Sequence, residues 1–171
     1  DLVDPGDEPD DDPGDVAEVG FVDPEEIAVL LFTSGTTGEP KAAILRHRHL
    51  FSYVIGSVEF LGSDEADAQL VSVPPYHIAG VSNVVSNVYS TRRVVLLPQF
   101  DPDKWLDTAR AEAVTHALVV PTMLARVVDH LADVQALLPA LRSLAYGGAP
   151  MPVTVLAFAV AARALPPHFL P

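Results

Sequence analysis

The stretch IAVLLFTSGTTGEPKAAILRHRHL, residues 27–50, carries the reading of the fold. Its first six residues, Ile27 to Phe32, form an unbroken apolar run, which at that length reads as a buried strand rather than a helix. The run stops at Thr33-Ser34-Gly35-Thr36-Thr37-Gly38-Glu39-Pro40-Lys41, where two glycines and a proline mark a loop. Ala42 to Leu45 is apolar again and predicts a second strand, and His47 to Leu61 is helix-like. The loop concentrates what a polyphosphate needs. Its glycines let backbone N–H groups turn inward as an anion nest, the hydroxyls of Thr33, Ser34, Thr36 and Thr37 can donate to phosphate oxygens, and Lys41 supplies positive charge. A Walker loop would need Gly and Lys adjacent and a Ser or Thr after the Lys; here Glu39 and Pro40 intervene and Ala42 follows. A plain flexible Gly/Thr turn suits the composition as well.

Outward from this stretch, short apolar runs alternate with helical patterns. Gln69 to Val73, Arg93 to Leu97, His116 to Val120 and Leu141 to Tyr146 read as strands, the last running into Gly147 and Gly148. Ala79 to Tyr89 reads as a helix of small and β-branched residues. Asp101 followed by Pro102 is a helix start, with an N-cap carboxylate and proline in the first turn, and that helix should reach about Glu112. Pro121 can open a helix to His130. Val153 to Leu165 predicts a final helix, stopped by Pro166 and Pro167 and apolar nearly all round, so that a protein partner, further polypeptide or the acidic segment at the start of the chain would cover it. Strands alternating with helices predict an α/β fold with a mainly parallel sheet flanked by helices, whose ligands gather beyond the carboxyl ends of the strands. His77, after the Pro74-Pro75 break at a strand's end, lies in such a place.

The 171 residues suit one domain, 49% of them apolar. The net charge of −13 argues against a nucleic-acid or anionic-membrane surface, and without cysteine there is no disulfide, thiolate metal site or cysteine nucleophile. No apolar run approaches the roughly 18–20 residues of a membrane span and no basic, apolar leader opens the chain, which makes a cytoplasmic protein the expectation. The charge is uneven. Residues 1–26 hold 12 of the 23 acids, none of the 10 Lys and Arg, and prolines 5, 9, 13 and 24, so they read as a flexible acidic lead-in ahead of a domain over 27–171.

The string LLFTSGTTGEPKAAILRHRHL, residues 30–50, resembles the phosphate-loop signature of the adenylate-forming superfamily: acyl- and aryl-CoA synthetases, luciferases and peptide-synthetase adenylation domains. VPPYHIAG, residues 73–80, is similar to that family's P-x-[FY]-H-x-x-G segment beside the acyl pocket, and LRSLAYGGAPMP, residues 141–152, to its Gly-Gly-Ala-Pro segment. The resemblance implies that Thr33, Ser34, Gly35, Thr36, Thr37, Gly38 and Lys41 hold the ATP phosphates. It places Tyr76 and His77 at the acyl-pocket wall, and Gly147, Gly148, Ala149 and Pro150 along adenine and the acyl group. His47 would support the loop, while Trp105, His116 and Tyr146 would pack. Ala42 and Arg46 depart from the family's usual Gly and Ser/Thr. The implied reaction activates a fatty or aryl carboxylic acid with ATP and Mg2+ and passes it to a thiol such as CoA. An amino-acid substrate is disfavoured because Tyr76 to Val81 offers no acid to its ammonium group. The family's YGxTE segment, which helps hold magnesium, its ribose-binding Asp and its mobile domain with the adenylation Lys have no match in the chain. The expectation is therefore a part of the enzyme's large domain, inactive alone, with no metal ligand and no complete catalytic set; the alternative is a non-catalytic interaction domain derived from such an enzyme.

Overall fold

The computed structural model describes residues 20–33, 41–134 and 138–154. The chain runs β1 (Ile27–Thr33), β2 (Lys41–Arg46), α1 (His47–Ser57), β3 (Ala68–Val71), α2 (Ile78–Tyr89), β4 (Arg93–Leu96), α3 (Pro102–Ala111), β5 (His116–Val119), α4 (Pro121–Val134) and β6 (Ser143–Tyr146). Strands β3 to β6 form one parallel sheet in the order β4-β3-β5-β6. The alternating pattern thus produces the α/β architecture it predicts.

β1 and β2 stand apart as an antiparallel pair, with Thr33 opposite Lys41 at the end where the connecting loop leaves it. Ile27 to Phe32 is extended as expected but is not buried: Ile27, Leu30 and Phe32 are exposed. A two-stranded ribbon has two faces, and the packing of α1 on it leaves these side chains uncovered. The ribbon is joined to α1 through residues 23–26. The backbone N–H groups of His47 and Arg48, orphaned at a helix start, donate to Glu26 O (3.2 Å) and Pro24 O (3.1 Å), and Arg48 pairs with the Glu25 carboxylate at 2.9 Å. His49 Nδ1 accepts from the Arg46 N–H at 3.1 Å, the role that an acid usually plays in a capping box.

Topology fixes which helix covers which face. From β3 the chain steps to β4 on one side, and from β5 to β6 on the other, so right-handed crossovers put α2 and α4 on opposite faces. Contacts agree, since α1 packs with α2 and α3 with α4. The main core lies on the α3/α4 side, where Leu70 and Val119 meet Trp105, Leu106, Leu124 and Val128. Burying side chains of this size contributes about 1.5–3 kcal/mol each, which makes this side the anchor of the fold. α3 starts as its sequence predicts: Asp101 Oδ1 accepts from Lys104 N at 3.1 Å and Pro102 occupies the first turn.

The amino ends of the sheet are closed by polar groups. Asp67, 6% exposed, accepts from Arg142 Nη1 at 3.1 Å, and Thr115 Oγ1 accepts from Ala68 N at 2.9 Å. The Arg142 and Ser143 N–H groups donate to Thr115 O at 2.7 and 3.0 Å. His116 Nδ1 is 2.7 Å from Thr115 Oγ1 and 3.9 Å from Asp67 Oδ1, so this histidine belongs to a polar cluster, whereas Trp105 is a packing residue. Burial, with Arg92 and Arg142 nearby, lowers the pKa of His116 despite the opposing pull of Asp67.

Candidate active site

The strand order reverses its direction of progress across the sheet between β3 and β5, and in an open α/β sheet ligands lie beyond the carboxyl ends of the strands at that crevice. Three segments meet this edge. Ser72 to His77 follow β3, Val120 and Pro121 follow β5, and Gly147 to Pro150 follow β6. The parallel pairing sets β3 and β6 two strand spacings apart, about 10 Å. Both sequence-predicted segments beyond the first loop therefore share one edge of the sheet.

His77 is the N-cap of α2 in an extended conformation, and its ring makes no capping bond. Its backbone carries the turn: the His77 N–H donates to Pro74 O at 3.1 Å, and His77 O accepts from Gly80 N at 2.9 Å. The ring is exposed, as is that of Tyr76, and their centroids are 4.7 Å apart at 54°. Gly80 is required by close approach. A Cβ there would lie 2.4 Å from Pro74 O and 2.9 Å from Val73 O, so the start of α2 is pressed onto the backbone leaving β3. An apolar pocket of about 410 Å3 adjoins this contact, lined by Val71, Val73, Pro74, Gly80, Val84 and Leu97. Tyr76 and His77 do not line it. A larger apolar cavity of about 820 Å3, lined by Phe21, Phe51, Val85, Val88 and their neighbours, sits between α1, α2 and residues 21–24.

At the β6 end, Gly147 N donates to Val119 O at 3.3 Å, which extends the ladder by one bond. Gly148 then adopts φ +84°, which side-chain-bearing residues rarely adopt. Ala149 and Pro150 are exposed. Of the predicted phosphate loop, Ser34, Gly35, Thr36, Thr37 and Gly38 lie outside the described residues, while Thr33 and Lys41 form the paired neck that brings the loop's two ends together. The predicted final helix is described only at Val153 and Thr154. Among the described residues no three His, Asp or Glu side chains converge as a metal site.

Some polar groups were not singled out by sequence reasoning. Ser72, one residue past β3, is 2% exposed and its hydroxyl has no partner among the described residues. Asn83 and Asn87 lie on the buried face of α2, 7% and 4% exposed. The available signal was the spacing of two asparagines by four residues in the otherwise apolar and small IAGVSNVVSNVY.

A model of the AMP-binding enzyme family matches residues 3–167, and the chain belongs to that family. Among curated relatives, the 2-succinylbenzoate--CoA ligase of Bacillus licheniformis is 34% identical over 141 residues, which is 82% of this chain and 29% of the relative. That of Bacillus cytotoxicus is 33% identical over 77% of this chain and 27% of the relative. The chain thus spans less than a third of the length of these curated relatives. Among solved structures, o-succinylbenzoate CoA synthetase (MenE) from Bacillus subtilis in complex with ATP and magnesium ion superposes with a TM-score of 0.70 at 29% identity, over 82% of this chain and 29% of that one. ATP-bound MatB from Rhodopseudomonas palustris gives a TM-score of 0.68 at 28% identity, over 82% and 28%. No described helix is long and apolar enough to cross a membrane.

Proposed function

We propose that this chain is part of the large domain of an acid-activating ligase, covering 27–171, with residues 1–26 as its acidic lead-in. In that enzyme a carboxylate oxygen of a fatty or aryl acid attacks the α-phosphorus of ATP, pyrophosphate leaves, and a thiol such as that of CoA takes the acyl group from the adenylate. The observation that carries this reading is the convergence of Tyr76-His77 and Gly147-Gly148 on the carboxyl edge of one parallel sheet, in a chain of the AMP-binding family. Chemistry of this kind depends on positioning and charge neutralisation, so no nucleophilic side chain is needed. The loop from Thr33 to Lys41 holds the leaving pyrophosphate through backbone N–H groups, hydroxyls and the lysine. His77 and Tyr76 stand at the acyl group, and Gly147, Gly148, Ala149 and Pro150 let adenine and acyl approach the backbone. Mg2+ would neutralise phosphate charge, held by residues beyond the described ones.

The intact polypeptide should release pyrophosphate from ATP and Mg2+ only when an acid is supplied, and acid-independent release would overturn the reading. The 171-residue chain alone should not turn over. A second reading, a non-catalytic interaction domain, is favoured by the exposed Phe51, Tyr53 and Ile55 of α1. Calorimetric titration of the chain with ATP separates the two when run beside the release assay: an intact polypeptide that binds a protein partner but neither binds nor cleaves ATP supports the second.

A further inference from the structure

Asp67 and Arg142 hold matching places on two strands that are not neighbours. Asp67 is the residue before β3 and Arg142 the residue before β6, with β5 between these strands. Arg142 reaches past β5: its Nη1 donates to Asp67 Oδ1 at 3.1 Å and lies 3.5 Å from Asp64 Oδ2. Asp67 is buried, and a buried carboxylate holds its cation firmly because the alternative is an uncompensated charge. Arg92 is engaged elsewhere. Its Nη1 donates to Asn87 Oδ1 at 2.8 Å, and Asn87 Nδ2 donates in turn to Asn83 Oδ1 at 2.6 Å, so that guanidinium serves the end of α2.

The same two strands deliver the two candidate site segments at their other ends. Ser72 to His77 leave β3 after four residues, and Gly147 to Pro150 leave β6 after four. Register puts Gln69 level with His116, and His116 level with Ser143, so the two segments emerge within one residue of the same height. Among the described residues β6 pairs with β5 alone, which leaves its level relative to β3 to a relay through two ladders. The Asp67–Arg142 pair is a direct tie between them. We propose that Asp67 and Arg142 are positioning residues for adenylation: their pair keeps Tyr76 and His77 aligned with Gly147 to Pro150, and so sets the approach of the carboxylate oxygen to the α-phosphorus. This rests on the acid-activating function above. The pair lies a strand's length, roughly 13 Å, from both segments, so it acts on the relative placement of acid and ATP and not on the contacts of either. Reaction is the more sensitive of the two, since a misplacement of about 1 Å can cost about a hundredfold in rate.

The test measures acid-dependent ATP–pyrophosphate exchange by the intact enzyme and its Asp67→Ala and Arg142→Met variants, with kcat referred to the chains that bind ATP in calorimetric titration. Each variant should lose about tenfold in kcat while KM for ATP and for acid stays within about threefold of the wild type. The double variant should lose no more than either single one, because the same tie is removed in every case. Arg93→Met is the control. It breaks the pair of Arg93 with Glu112, 2.6 Å apart at the start of β4, a strand that carries neither segment, and should leave kcat within about twofold. Unchanged kcat in Asp67→Ala or in an Arg142→Met protein that binds ATP overturns the proposal and leaves the ligase function standing. A loss that Arg93→Met matches, or one that falls on KM alone, also overturns it. Where Arg142→Met binds no ATP, Asp67→Ala decides, because the arginine it leaves behind is 56% exposed. If neither variant binds ATP, the pair is a requirement of folding and the proposal fails. A wild type that exchanges with no fatty or aryl acid removes the ligase function and the proposal together.

Discussion

Replacing Gly80 by alanine tests the geometry on which the candidate site depends. The new Cβ would meet Pro74 O at 2.4 Å and both Pro74 C and Val73 O at 2.9 Å. An ordinary carbon–oxygen contact is about 3.3 Å or more, so α2 and the Val73-Pro74 backbone must separate by nearly 1 Å. All three atoms are main chain, and no side-chain rotation relieves the contact. Overpacking of this kind costs about 1–3 kcal/mol, offset by up to about 1 kcal/mol of improved helix propensity. With a main-chain oxygen at 2.4 Å the cost falls in the upper part of that range, about 2–3 kcal/mol, so the expected net loss is about 1–3 kcal/mol, or roughly 2–12 °C in Tm for a chain of this length. Gly56→Ala on α1 is the matched control, because no heavy atom lies within 4 Å of a Cβ there, and it should stabilise by up to about 1 kcal/mol. Urea denaturation of the three proteins reads the difference as midpoints at constant m. A Gly80→Ala midpoint equal to or above that of the wild type would refute the close approach, and with it the placement of His77 by that contact.

Three further perturbations have defined outcomes. His116, its folded pKa lowered by burial and by Arg92 and Arg142, binds fewer protons than the unfolded chain once pH falls below the ordinary imidazole value of about 6.5. Stability should therefore decline as pH drops from about 6.5 toward the folded pKa, and His116→Gln should flatten that slope in urea midpoints taken between about pH 5 and 8; a slope unaltered by the substitution counts against the assignment. Asp101→Ala removes the N-cap bond to Lys104 N and should cost about 1 kcal/mol by the same denaturation assay. In the intact enzyme, replacing Thr36, Thr37 and Lys41 together by alanine should lower acid-dependent pyrophosphate exchange by at least about a hundredfold, and unchanged exchange would remove the loop from the phosphates.

What was legible in the sequence was whatever the chain states locally. Asp101-Pro102 announces α3, Pro121 opens α4, and the apolar runs at β3, β5 and β6 end within two residues of their observed limits. The segments carrying the resemblance were legible too, because each is contiguous and joins a strand to the loop beyond it. Burial of β1 was misread, since an apolar run reports the need for cover and not whether the described neighbours provide it. The polar cluster at the amino ends was invisible, as Arg142 reaches Asp67 across 75 residues and the contact exists only once the parallel register is set. His49 as a cap and Asn83-Asn87 as a directed pair were missed because their partners are a backbone N–H and a guanidinium just beyond the end of the helix.

The two ends of the sheet are built on opposite terms, and the contrast explains where function can reside. At the amino ends, Asp67, Thr115 and Arg142 tie the entries to β3, β5 and β6 with direct hydrogen bonds, which hold the strand starts in register. At the carboxyl ends, the buried Ser72 hydroxyl has no described partner, and the rings of Tyr76 and His77 stand exposed. Gly80 brings backbone close where a side chain would intervene, and Gly148 turns the chain through a positive φ. Register held at one end fixes where the opposite loops emerge, so their placement need not depend on bonds among themselves. Such loops can keep donors unpaired at a tolerable cost, because the stability of the domain comes from the α3/α4 core and the polar closure beneath the strands.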